Sequence, residues 1–158
     1  MDGRAFLDSA RLLMTISTEA NRRSAVSRAY YAVLNEARSA LERWVIPIPA
    51  SSEAEVKDIG LAQFRTALNM DLLRIADCLD QLDQNRVKAD NSLSEPGVFA
   101  DDSEANRLLQ LAEVGIELLD QIEADPARRA NAIAAIRAAY LESTTVKSPL
   151  STPEEGTT

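Results

Sequence analysis

From Val26 to Trp44 one run of apolar residues recurs at Val26, Tyr30, Val33, Ala37, Leu41 and Trp44. The steps are three and four residues, which place these side chains on one stripe of an α-helix; a strand would need steps of two. A stripe of about five turns must bury itself against other elements, and the rest of the chain offers only helices for that purpose. The single β-like run, Val45-Ile46, stops at Pro47. The fold class that follows is all-α, an up-and-down bundle of five to six helices.

The neighbouring segments repeat the pattern. A first helix is expected over Gly3–Ile16, with Phe6, Leu7, Ala10 and Leu13 facing inward. The second starts at Thr18 or Glu19 and ends near Trp44. Pro47 and Pro49 then break the chain, and Ser52 with Glu55 forms a capping box for a third helix to about Leu68, carrying Val56, Ile59, Leu61, Phe64 and Leu68. A fourth covers Asp71 to Ala89 with Leu72, Ile75, Ala76, Leu79 and Leu82 inward; the pattern leaves open whether a turn near Asn69 separates it from the third. The stretch DNSLSEPGVFADDSE is a loop. Ser103 is expected to cap a fifth helix to Ile122, with Leu108, Leu111, Ala112, Gly115, Leu118, Leu119 and Ile122 on its inner face. Asp125 and Pro126 open an alanine-rich sixth helix to about Leu141. One helical domain over 1–142 and a disordered Ser/Thr/Pro-rich tail over 143–158 complete the expected organisation.

Composition then removes chemistry. The 158 residues suit one domain and contain no histidine and one cysteine, Cys78. Histidine-based triads, histidine general bases and His- or Cys-rich zinc sites are excluded, and no intramolecular disulfide can form. P-loop and dinucleotide-binding glycine patterns are missing. No apolar run reaches the roughly 18 residues of a membrane span, and the charged N-terminus does not read as a signal peptide. The expected location is the cytoplasm, with no cofactor and no metal. The net charge of −8 argues against a general nucleic-acid binder, but it is uneven. Residues 1–44 hold seven arginines and five acidic residues, while the remainder carries a balance of −10.

Two polar stretches at helical spacing stand out. In SRAYYAVLNEAR, Tyr30 belongs to the buried stripe. Adjacent residues point about 100° apart, so Tyr31 is expected off that face, on a flank with Ser27, Arg28 and, one turn on, Asn35. In LDQLDQNRVKADN, Arg86 and Asp90 are placed for an i,i+4 ion pair in the less favourable order. A basic residue there also complements the helix C-terminus, so Arg86 reads equally as a dipole-neutralising surface residue.

The stretch SRAYYAVLNEARSALE resembles the S-R-x-Y-Y-A signature of HEPN-domain proteins, and NRVKADN resembles that family's R-x-x-A-D-Y element. Between them, VKDIGLAQFRTAL is similar to the family's third-helix segment. The resemblance covers roughly residues 4–123. It implies a small helical bundle that dimerises, in a family rich in metal-independent ribonucleases of toxin–antitoxin and defence systems. A minimal nucleotidyltransferase is a frequent companion. Arg28, Tyr30 and Tyr31 match the second-helix signature; Arg86, Ala89 and Asp90 match the second element. Asn91 stands where the family has tyrosine or histidine, and Asp58-Ile59-Gly60 stands where it has His-Gly. Without the histidine, RNA cleavage lacks its base, because Arg86 stays protonated and Asn91 cannot titrate. The expected function is therefore a non-catalytic binding module. Its ligand would be a partner protein, RNA or nucleotide, held in a groove of Arg28, Tyr31, Asn35, Arg86, Asp90 and Asn91. The alternatives are a weak, non-standard ribonuclease and a purely structural scaffold.

Overall fold

The computed structural model describes residues 2–44, 46, 64–91, 97 and 99–145, with side chains to residue 139. Most of these residues are helical, and no strand occurs among them. Five helices are complete: α1 (Gly3–Met14), α2 (Glu19–Arg43), α3 (Met70–Asn91), α4 (Asp102–Ala124) and α5 (Pro126–Thr145). A helical turn at 64–66 precedes α3.

The long stripe of α2 makes it the central helix. Val26, Tyr30, Val33, Ala37, Leu41 and Trp44 are all buried, and α2 packs against α1, α3 and α4. Ion pairs reveal the directions. Arg4 and Arg11 of α1 reach Asp120 and Glu113 of α4, so these helices are antiparallel. The start of α2 meets the end of α3 through Ser27 and Asp90, while Arg43 near its end meets Glu123 near the end of α4. Thus α1 and α3 run one way, α2 and α4 the other. The α5 helix packs on α4, and Arg128 joins it to Asp71 at the start of α3.

Local chemistry sets the ends. Asp2 accepts the Arg4 N–H and Thr18 the Asn21 N–H, as N-cap residues do. The first helix stops at Met14, two residues short of the expected Ile16, because the chain turns back there: the Thr15 N–H and hydroxyl both donate to the Leu12 carbonyl, and the Ile16 N–H donates to the Leu13 carbonyl. Asn69 settles the open question of a turn before α3. Its side chain accepts from the Asp71 and Leu72 N–H groups. Leu68, placed inward by periodicity, lies in that break and is 98% exposed. Phe64 is buried as expected.

Ser103 is not the cap of α4. Asp101 is, its carboxylate accepting the Ser103 N–H at 2.9 Å, and an anion at a helix start outcompetes a hydroxyl through the macrodipole. Asp125 caps α5 and Pro126 opens it, as the sequence implies. That helix continues to Thr145, past the expected tail boundary at Ser143. Serine and threonine are only mildly unfavourable in a helix, and after Pro126 no proline occurs until Pro149. The expected capping box at Ser52 and Glu55, the third-helix residues Val56, Ile59 and Leu61, the 92–96 part of the loop and the tail beyond 145 lie outside the described residues.

Two glycines are required. A Cβ on Gly3 would lie 2.4 Å from the Ala32 carbonyl oxygen, so α1 approaches α2 this closely only with glycine there. Gly97 has φ of 115°, a left-handed turn that precedes the fully buried Phe99.

Candidate functional site

The first third of α2 lies between α1 and the end of α3. An open cleft of about 570 Å³ forms there, bordered by Phe6 of α1, by Ala20, Arg23, Ser24, Ser27, Arg28 and Tyr31 of α2, and by Ala89 and Asp90 of α3. The site is built from the two stretches singled out above, brought together because α2 and α3 run antiparallel.

Arg28 is exposed on the cleft wall and makes no hydrogen bond or ion pair among the described residues. Tyr31 is half-buried, its ring centre 6.1 Å from that of Phe6 and 5.1 Å from that of Tyr30 in an edge-on arrangement. Tyr30 lies in the buried stripe and Tyr31 on its flank, as the helical spacing implies, yet the two rings are in contact. Their Cα–Cβ bonds diverge, but the long side chains curve together and converge beneath Arg86. That guanidinium lies 5.1 Å from the Tyr30 ring centre and 6.0 Å from that of Tyr31. Asp90 ties the walls: one oxygen accepts the Ser27 hydroxyl at 2.7 Å, the other the Arg86 Nη1–H at 3.2 Å.

Arg86 does not border the cleft; it stands behind Tyr31, its side chain 22% exposed. The reading as an exposed dipole-neutralising residue fits only its position on the helix. The side chain bonds Asp83 and Asp90 and covers two rings. Burial works against its charge, but the hydrogen bond and charge of Asp83, with the two tyrosines, raise its pKa overall. Asn35 donates back to the Tyr31 carbonyl of its own helix at 2.8 Å and does not line the cleft. Asn91 is exposed at the end of α3, also outside it. Of the six expected groove residues, the cleft therefore brings together Arg28, Tyr31 and Asp90, with Arg86 one layer behind.

Periodicity missed Arg22 and Arg23, each only 7% exposed. Arg22 donates to the Phe99 and Ala100 carbonyls at 2.7 and 2.8 Å and to Ser17 and Asp102. Arg23 donates to Glu19 and to the Lys88 and Ala89 carbonyls, with its guanidinium 5.4 Å from the Phe99 ring centre. A signal was present: two cations in the first turns of a helix stand at the wrong end of its dipole, which makes sense only if they have specific acceptors.

Chemically, the cleft is bordered by one guanidinium without a partner among the described residues, the Tyr31 side chain, and the hydroxyls of Ser24 and Ser27, the latter donated to Asp90. Asp90 already accepts a donor at each oxygen. Among the described residues there is no cluster of ligating side chains for a metal ion, and no helix is long and apolar enough to cross a membrane. Comparison with protein-family models, curated proteins and solved structures finds no match to this chain.

Proposed function

We propose that the chain is a non-catalytic, HEPN-like binding module whose cleft takes an anionic group attached to a flat or apolar one, as in a nucleotide or an RNA end. One observation carries this reading: Arg28, without a partner among the described residues, shares with Tyr31 a cleft whose other charges are already paired. An arginine can hold phosphate in a forked contact, and an aromatic face accepts a base by stacking. A cleft with one cation left without a partner, on a chain of net charge −8, favours a short ligand over a long polyanion, which would need many such contacts. Isothermal titration with mononucleotides and short RNAs tests it. Binding that disappears in Arg28→Ala while the fold persists supports the reading; no binding by the folded wild-type chain sinks it.

A second reading has its own support. Ser27–Asp90 and the Arg23 contacts bridge α2 to α3, as in a scaffold whose polar residues serve the fold. In that case Arg28→Ala changes neither ligand nor partner capture. The ribonuclease alternative has the weaker footing, since the chain has no histidine and Arg86 is committed to two carboxylates. Cleavage of total RNA or tRNA by the purified chain would revive it. The resemblance also leads us to propose a homodimer acting in a toxin–antitoxin or defence-type system, with a nucleotidyltransferase-type protein as a candidate partner. Light scattering at micromolar concentration tests the dimer, and a monomer there counts against it.

A further inference from the structure

Arg86 stays outside the cleft, yet it holds two of the groups that border it. Its Nε and Nη2 donate to Asp83 Oδ1 at 3.2 and 3.0 Å, and its Nη1 to Asp90 Oδ2 at 3.2 Å. All three nitrogens thus face carboxylate oxygens, and an anion approaching them would meet those carboxylates. The guanidinium face covers the rings of Tyr30 and Tyr31. Through Asp90 the arrangement extends to Ser27, whose hydroxyl donates at 2.7 Å. One planar cation therefore backs the aromatic wall and fixes the carboxylate that orients a hydroxyl on the polar wall. A lysine at this position could supply the charge but neither the fork nor the plane.

We infer that Arg86 is a positioning residue of the cleft: it sets affinity by holding the Tyr31 ring and the Asp90–Ser27 pair, while Arg28 makes the anion contact. The inference rests on the cleft being an anion-binding site. It assigns the two arginines of the polar stretches different tasks, which salt dependence can separate. A residue that touches the anion contributes to the ionic-strength dependence of binding; one that acts through its neighbours does not.

The test titrates adenosine 5′-monophosphate and inorganic phosphate into the full chain over a range of salt concentrations. It compares wild type with Arg28→Ala, Arg86→Lys, Arg86→Met and Asp90→Asn, each checked for folding by circular dichroism. Arg28→Ala is expected to weaken both probes and to flatten the plot of log Kd against log salt by about one. Arg86→Met and Arg86→Lys are expected to weaken the nucleotide about tenfold, the lower end of the cost of losing a supporting partner. They should leave the salt slope unchanged and affect the nucleotide more than phosphate, since Arg86 acts through the ring. Asp90→Asn should follow in the same direction by a smaller factor. A flattened slope in the Arg86 variants overturns the assignment, because Arg86 would then touch the anion. Unchanged affinity in folded Arg86→Lys overturns it as well. If Arg86→Met does not fold, the neutral Arg86→Gln takes its place in the slope comparison, and Arg86→Lys and Asp90→Asn decide on affinity. Failure of wild type to bind either probe removes the cleft reading itself, an outcome distinct from failure of the Arg86 variants alone.

Discussion

Arg22 and Arg28 lie on the same helix, less than two turns apart, and meet opposite environments. Arg22 is buried under the segment that leads into α4, with four hydrogen bonds to carbonyls, a hydroxyl and a carboxylate. Arg28 faces an open cleft with none among the described residues. The first arrangement is a staple. A buried guanidinium whose donors are all aimed at acceptors joins elements far apart in sequence, and losing it strands those acceptors. The second is a surface available to something else. What separates them is not residue type but what the fold puts opposite each one.

The largest effect should come from breaking the staple. Arg22→Met and Arg23→Met keep much of the apolar stem but leave two backbone carbonyls each without their donors. Each is expected to lose about 2–6 kcal/mol, at roughly 1–3 per stranded buried group. Urea unfolding measures this, and a loss below 1 kcal/mol would erase the distinction between the two arginines.

Next comes the close contact that brings α1 to the cleft. Gly3→Ala places a methyl against the Ala32 carbonyl and Glu36, with an expected cost of about 1–3 kcal/mol. Because α1 contributes Phe6 to the cleft wall, the shift should also disturb any ligand binding. A thermal melt and a titration on the same sample would show whether the two losses travel together.

Arg28→Ala belongs to the other side of the comparison. Its stability should stay within about 0.5 kcal/mol of wild type, as for surface sites without special contacts. A fall as large as that of Arg22→Met would make Arg28 a second staple and end its candidacy as a ligand contact.

The smallest effect concerns acid. Hydrogen bonding to Ser103 holds the Asp101 carboxyl below its ordinary range, and hydrogen bonding to Arg107 does the same for Glu104. Depressed carboxyl pKa values mean stability that is present above their ordinary range of about 4 and is lost as pH falls through the folded values. Both groups serve the exposed start of α4, so the double variant Asp101→Asn, Glu104→Gln should only slightly flatten the fall in Tm between about pH 5 and 3. A flattening larger than the whole Arg28→Ala effect would show that the start of α4 contributes more than its exposure implies.

Much of the molecule was legible because helical burial is periodic. The α2 stripe, the Thr18 cap and the Asp125-Pro126 start are local patterns that need no partner to be recognised. Leu68 was misplaced because periodicity was extended through a break that Asn69 creates. Ser103 was taken as a cap because Asp101, two residues earlier, is an equally good one and its charge decides. In the site, Arg28 and Tyr31 are legible as one helical flank, and Asp90 through its i,i+4 spacing to Arg86 and the resemblance of NRVKADN. Asn35 was included on the same spacing, but its side chain bonds its own backbone one turn back.

The amino-acid sequence alone determined the all-helical class, the central helix and the absence of histidine chemistry. These follow from residue identity and from spacing within single helices, which no other part of the chain can alter. Only the tertiary structure decided that Arg22 and Arg23 are buried, that Arg86 stands behind the tyrosines and that Arg28 alone of these four faces open space uncommitted. A guanidinium is committed or free according to which carbonyls and carboxylates arrive opposite it; for Arg22 and Arg23 the carbonyls come from residues 65 to 78 positions away, which no local pattern reveals.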